Sequence, residues 1–352
     1  MNNLRAPLAV LTLLVGASTT YASDINAFKE TILQTSATDP DLINPWGVSA
    51  SGSSPFWVSD NGTGKTTLYN TAGVKQGLVV SMPAGSEALT GQVFNGTANF
   101  KGDNFVFATE NGTITGWRGA LGTTAETLFT VAGASYKGLA ISTDKSTLYA
   151  ANFAAGTVDV FNSAGKIASV ADPSVPAGYA PFNVQNTGGK IYVTYALKGS
   201  GGDDAAGAGH GFVSVFDPGT QTFSRLISQG ALNSPWGIAV APLTFGTVAG
   251  DVLVGNFGDG LINAYDPISG GLVGTLATFG STEIVNDGLW ALDFGNGGNG
   301  GLANALYITA GPNDETGGVL ARIDAVPEPS ALLLGVAGLA FVALRLRSTV
   351  SR

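Results

Sequence analysis

Short runs of β-branched, aromatic and aliphatic residues alternate with clusters of Gly, Asn, Asp and Ser along almost the whole chain. Runs of that kind bounded by turn formers predict strands joined by tight turns, not helices. The pattern also recurs. Asn44-Pro45-Trp46-Gly47-Val48 matches Ser234-Pro235-Trp236-Gly237-Ile238, and each is followed by an apolar strand ending in a polar turn, at residues 56–62 and 252–258. Third strands follow at residues 67–70 and 261–266. Weaker copies open at Gln92, Tyr136, Pro181 and Gly288. The units are spaced by roughly 45–55 residues, the period of a four-stranded propeller blade.

Five of the six units carry a fourth strand, at residues 78–82, 126–131, 167–170, 223–227 and 272–278. The sixth stops at Asp324 without one, and an unclaimed strand lies at residues 30–34. Pairing that strand with the last unit would close the ring and remove exposed sheet edges. The expected fold is therefore all-β: a six-bladed β-propeller over residues 23–325, closed by its N-terminal strand.

Both ends depart from this pattern. Arg5 precedes an apolar run over residues 6–16, and small and polar residues lead to Ala22. That order predicts a signal peptide, residues 1–22, cleaved after Ala22. At the other end Pro327-Glu328-Pro329 precedes an apolar run over residues 331–344, closed by Arg345 and Arg347. The prolines block helix propagation upstream, so a short transmembrane helix is expected at about residues 330–346, its arginines snorkelling to the headgroups. The tail, residues 326–352, resembles the PEP-CTERM sorting signal. That resemblance implies membrane tethering through the C-terminal helix, processing by an exosortase-type enzyme, and passage to the cell surface or exterior.

The net charge is −9, and it is more acidic still without Arg5, Arg345, Arg347 and Arg352. Such a body has no electrostatic footprint for a polyanion, so nucleic acid is not an expected partner. The chain has no cysteine, which excludes disulfides, thiol nucleophiles and Cys-bound zinc.

Antiparallel order places the loop entering each inner strand and the loop joining its second and third strands on one face. Polar residues collect there: Asn44, Asn183, Asn233, Asn286 and Asp287 in entering loops, and Asp60, Asn61, Glu110, Asn152, Asn256 and Asp259 in the others. Around an axis they form a candidate binding face. Their oxygens are also of the kind that binds Ca²⁺, although Asn, Asp and Gly are equally what tight turns require. Gly64-Lys65-Thr66 mimics the end of a phosphate loop, but Ser59 stands where that motif needs glycine and no helix follows. His210, the only histidine, sits in a Gly/Ala/Asp-rich insert over residues 199–211. It reads as a mobile surface residue on a segment placed to act as a lid. Trp46, Trp236 and Trp290 recur at the start of inner strands, where packing between blades or stacking on a ligand is expected.

The body also resembles an uncharacterised family of exported bacterial propellers often found with this tail. The resemblance rests on Asn44-Pro45-Trp46-Gly47, Ser59-Asp60-Asn61-Gly62, Ser234-Pro235-Trp236-Gly237 and Ala310-Gly311-Pro312-Asn313. It implies fold and export and no particular activity. More distantly the blades look like NHL and lactonase-type repeats. The expected function is an exported binding module for a glycan, matrix polymer or extracellular protein, without intrinsic catalysis. The alternative is a metal-dependent lactonase- or lyase-like enzyme in which the Asn/Asp/Glu ring and a divalent ion polarise a carbonyl.

Overall fold

The computed structural model describes residues 27–326, which form six four-stranded antiparallel sheets whose innermost strands begin at Pro45, Leu89, Tyr136, Tyr179, Pro235 and Leu289. This is the six-bladed β-propeller expected from the repeat. In blades 1 to 5 the strands follow chain order from inside to outside. Blade 6 is completed by Phe28–Thr35, which pairs antiparallel with Val319–Ala325 and sets Glu30 opposite Ile323. The first described strand is thus the outer strand of the last blade, as closure requires. Val326 N donates to Ala27 O at 2.6 Å, so both described ends leave the body side by side. The signal peptide with Ala22, and the sorting motif with Pro327, Glu328, Pro329, Arg345 and Arg347, lie outside the described residues. Among the described residues no helix is long and apolar enough to cross a membrane.

The inner strands share one irregularity. Each carries one extra residue against its partner, between Pro45 and Val48, Leu89 and Gln92, Tyr136 and Leu139, Pro181 and Asn183, Pro235 and Gly237, and Leu289 and Leu292. A β-bulge re-aims a side chain and interrupts the ladder. The side chains within the six bulges include Trp46, Thr90, Lys137, Phe182, Trp236 and Trp290. The interrupted carbonyls are satisfied from other blades, because a buried unpaired carbonyl is costly. Thr90 Oγ1 donates to Tyr136 O at 2.7 Å, Gln92 Nε2 to Gly47 O at 2.7 Å, and Asn183 Nδ2 to Trp236 O at 2.9 Å. Trp236 Nε1 reaches Lys137 O at 2.8 Å, and Thr309 Oγ1 reaches Trp46 O at 2.6 Å.

Beside several bulges stands a glycine that lets neighbouring inner strands touch. A Cβ on Gly47 would lie 2.6 Å from Thr90 O, and one on Gly237 would lie 2.5 Å from Trp290 O. A Cβ on Gly91 would collide with the backbone N of Leu139. The tryptophans pack between blades, as their positions in the repeat suggested, and they do so at the axis. Trp46 stacks on Trp290 with ring centres 3.6 Å apart, and Trp236 meets both edge-on. With Phe153 and Phe182 they form one buried cluster across the centre of the ring. The faces between neighbouring blades are filled by aliphatic and aromatic side chains such as Leu253, Leu289 and Phe28, or Val106, Leu139 and Phe161.

Gly91→Ala should therefore cost about 2 kcal/mol in urea unfolding through overpacking against backbone. Gly77→Ala in an outer strand, where a Cβ meets nothing within 4 Å, should be neutral or slightly stabilising. Equal effects from the two substitutions would show that inner-strand contact does not limit the fold.

Candidate functional site

Three cavities lie in order along the inner strands. The first, about 260 Å³, is lined by Trp46, Glu110, Lys137, Asp203, Asp204, Phe257, Trp290 and Glu315. One or two residues further along the same strands lies a space of about 20 Å³, touched by Gly47, Leu139 and Ala291. Further still, a cavity of about 210 Å³ is reached at Ser49, Ile141 and Asp293. The strand-start end is the one where the sequence placed its polar face.

Lys137 organises the first cavity. Its bulge turns it to the axis, where its side chain is 3% exposed. Nζ bonds the Glu110 carboxylate and, at 2.7 Å, Asp203 Oδ1, and it lies 5.3 Å from the centre of the Trp46 ring. Burial pulls the Lys137 pKa down, but the charge of Glu110 and the hydrogen bonds to Asp203 and Glu110 outweigh it, so the amine is held charged. Glu110 also accepts from Asn61 Nδ2 at 3.1 Å. Asn44 then links this chain to the aromatic floor: its Nδ2 bonds Glu315, and its Oδ1 accepts from Trp290 Nε1 at 2.8 Å. Burial raises the pKa of Glu315, with Asn44 pulling it back and Glu110 adding repulsion. Burial likewise raises Asp204. Phe257 stacks on the Trp290 ring at 4.2 Å, which leaves the half-buried phenyl as the ring presented to the cavity.

Of the residues expected on the polar face, Glu110 lines this cavity, and Asn44 and Asn61 support it through the bonds just described. Asn183 borders the narrow axial space. The others are engaged locally. Asp60 is fully buried in blade 1, accepting from Thr67 Oγ1 at 2.7 Å, and burial pushes its pKa well up. Asn152 donates to Asp159 at 2.9 Å. Asn233 and Asn256 both donate to Asp259 Oδ2, at 3.1 and 3.3 Å. Asn286 donates to Glu30 of the closing strand at 2.8 Å, and Asp287 accepts from Asn313 N at 3.0 Å. Among the described residues no three acidic or histidine side chains form a group that would hold a metal ion. Gly64-Lys65-Thr66 is a hairpin, with Lys65 Nζ bonded to Asp41 at 2.5 Å.

The insert of blade 4 is pinned, contrary to the mobility its glycines suggested. Gly207 N bonds Asn233 Oδ1 at 2.6 Å, Ala205 N bonds Leu197 O at 2.7 Å, and Gly209 N bonds Leu232 O at 2.8 Å. His210 is half-buried, with Nδ1 2.8 Å from Ala205 O, and is not among the cavity's lining residues. Held this way, the insert carries Asp203 and Asp204 to the cavity rim, which is the position a covering segment needs. Sequence reasoning missed Lys137, Asp203, Asp204, Phe257 and Glu315.

The fold and this axial cavity define a six-bladed propeller with an acidic pocket at the strand-start end of its axis. No protein-family model matches the chain. Proteins of Acanthamoeba polyphaga mimivirus do match, among them uncharacterized protein R648, 31% identical over 321 residues covering 82% of this chain and 77% of that protein, and uncharacterized protein L690, 29% identical over 317 residues covering 81% of each. The chain belongs to the family of R648. These viral relatives lend no support to the bacterial origin or the sorting tail expected from the sequence. Solved structures of similar fold include a streptogramin B lyase, with a TM-score of 0.56 and 10% identity over 85% of this chain and 98% of that one. A virginiamycin B lyase from Staphylococcus aureus gives 0.54 and 10% over 85% and 100%, and a luciferin-regenerating enzyme gives 0.53 and 13% over 81% and 91%. At these identities the likeness is one of propeller fold alone.

Glu110→Gln strands a buried ammonium with one exposed partner, and should cost about 3 kcal/mol. Lys137→Met removes the buried charge while Glu110 and Asp203 stay within reach of water, and should cost only about 1 kcal/mol. Urea unfolding of both variants checks the order, and the reverse order would contradict the role given to Lys137.

Proposed function

We propose that the chain is an exported propeller that binds a compact, donor-rich ligand, a sugar unit of a surface or extracellular glycan, in the 260 Å³ axial cavity. One observation carries this reading: four carboxyl groups and a single buried ammonium surround a cavity with an aromatic floor. Carboxylates accept hydroxyl hydrogen bonds more strongly than neutral groups do. The Phe257 ring offers an apolar surface for the C–H face of a sugar. The excess of acid repels polyanions, so neutral or amino sugars fit and uronic or nucleic acid polymers do not. The residues lining the cavity include no serine, threonine or histidine, so no Ser–His pair is built there.

Delivery belongs to the same proposal. Export machinery would remove residues 1–22 after Ala22, leaving the closing strand Phe28–Thr35 intact. The tail with Pro327, Glu328, Pro329, Arg345 and Arg347 would tether the body to the membrane until an exosortase-type enzyme processes it. N-terminal sequencing and intact mass of the secreted protein test this, and an uncut N-terminus would overturn it.

Titration of the full chain with neutral, amino and acidic oligosaccharides, followed by tryptophan fluorescence, tests the ligand. Neutral or amino sugars should change the emission. Glu110→Gln and Glu315→Gln should each weaken binding by about tenfold or more. Binding of acidic polymers alone, or of no saccharide, would sink the glycan reading.

The second reading is a metal-dependent lyase- or lactonase-like enzyme. Its support is that Glu110, Asp203, Asp204 and Glu315 line one cavity, and it requires an ion to displace the Lys137 ammonium that holds Glu110 and Asp203. If Ca²⁺ binds there, melting temperature rises with [Ca²⁺] and returns on chelation. Under the binding-module reading, neither addition moves it.

A further inference from the structure

The cavity at the other end of the axis carries charges that the proposed glycan site does not use. Its 210 Å³ is lined by Val48, Ser49, Ala140, Ile141, Gln92, Gln185 and Asn186 among others, with two ionisable residues, Asp293 and Lys145. Among the described residues neither ionisable group has an ion-pair partner. Asp293, near the end of the inner strand Leu289–Phe294, has the backbone N–H of Phe294 beside its carboxyl and no cation. Lys145, in the turn between the first two strands of blade 3, shows only burial acting on its amine. The two do not pair with each other, although they face the same cavity.

This arrangement is costly as it stands. Several half-buried charges elsewhere in the molecule are matched, as Lys75 is with Asp39 and Asp41, or Lys166 with Asp159. In this cavity burial pushes the Asp293 carboxyl up to about 7 and pulls the Lys145 amine down, which is what unmatched groups do. The cavity thus offers an anionic acceptor and, apart from it, a cationic donor.

We propose that this cavity is a second ligand site, taking a small zwitterion of the amino-acid class with its ammonium at Asp293 and its carboxylate at Lys145. A single ion would relieve one charge and worsen the isolation of the other. A zwitterion relieves both. Its two charges, with a charge-assisted hydrogen bond of about 2.8 Å at each end, bridge groups too far apart to pair directly. The aromatic cluster of Trp46, Trp236 and Trp290 lies between this site and the first cavity, so the two ligands need not compete.

The test is thermal melting of the full chain at pH 7 with each of the twenty amino acids and with 4-aminobutyrate at 10 mM, with acetate and methylammonium chloride as single-charge controls. At least one zwitterion should raise the melting temperature by about 4 °C or more, saturably, while neither control does. Lys145→Met and Asp293→Asn should each abolish the rise. Asp293→Asn should also melt higher than the parent at pH 8 without ligand, because it removes a carboxylate that is ionised in the unfolded chain and loses water on folding, which keeps a lost response from being mistaken for lost folding. The proposal is overturned if no zwitterion shifts the melt, if either control does so equally, or if the shift survives in both variants.

Discussion

The structure depends on how closely six inner strands can approach one axis. A propeller of this size must bring its first strands together at the centre, and regular strands with side chains on both faces would not fit. The chain solves this with one extra residue in every inner strand and with glycines where neighbouring strands touch. The bulge turns one large side chain from each of several blades into the centre, while the glycine lets the adjoining backbone close in. Carbonyls released from the ladders are then satisfied by Thr90, Gln92, Asn183, Trp236 and Thr309. Blades are joined at the centre by hydrogen bonds as well as by apolar contact, which fixes their relative register.

The same device produces the site. In a regular strand Lys137 would alternate with its neighbours and take its turn toward one sheet face. In the bulge it faces the axis beside Trp46, where an ammonium survives only because Glu110 and Asp203 accept from it. Those carboxylates arrive from different places, one on a hairpin of blade 2 and the other on the pinned insert of blade 4. Asn44 ties Glu315 to the Trp290 indole, so the acidic rim and the aromatic floor are positioned by one residue. Its backbone φ of 45° is rare for a residue with a side chain, a strain kept where the surrounding structure over-determines it.

The repeat made the architecture legible because each blade must bury the same faces and so repeats the same pattern. Pro45-Trp46-Gly47 and Pro235-Trp236-Gly237 are the bulge and the close approach written into sequence. The unmatched strand at residues 30–34 declared closure because a missing fourth strand needs a donor. The site was less legible, for a physical reason. Asn152, Asn256 and Asp259 look like ligands in sequence, but in the structure the amide nitrogens of Asn152 and Asn256 and the Asp259 carboxylate are bonded within their own turns and blades. Lys137 read as an ordinary strand residue, since nothing local signals a bulge except Gly138 after it. Asp203 and Asp204 were hidden in an insert whose glycines suggested looseness. What its composition does not reveal is that Gly207 and Gly209 donate to Asn233 and Leu232 of the entering loop of blade 5.

Stacked indoles between the two large cavities have an electrostatic consequence. Trp46, Trp236 and Trp290 fill the axis with matter of low dielectric constant, so charge at one end is not screened by water continuous with the other. The strand-start cavity therefore tolerates an excess of carboxylates by hydrogen-bonding them to Asn44, Asn61 and Lys137, all within its own walls. The opposite cavity has no such internal partners, and its Asp293 and Lys145 must be satisfied by water or by what enters. A ring built from one repeated blade thus ends in two unlike chambers, because the bulge admits whatever side chain each copy supplies. Symmetry in the backbone leaves the chemistry at each end to the side chains that break it.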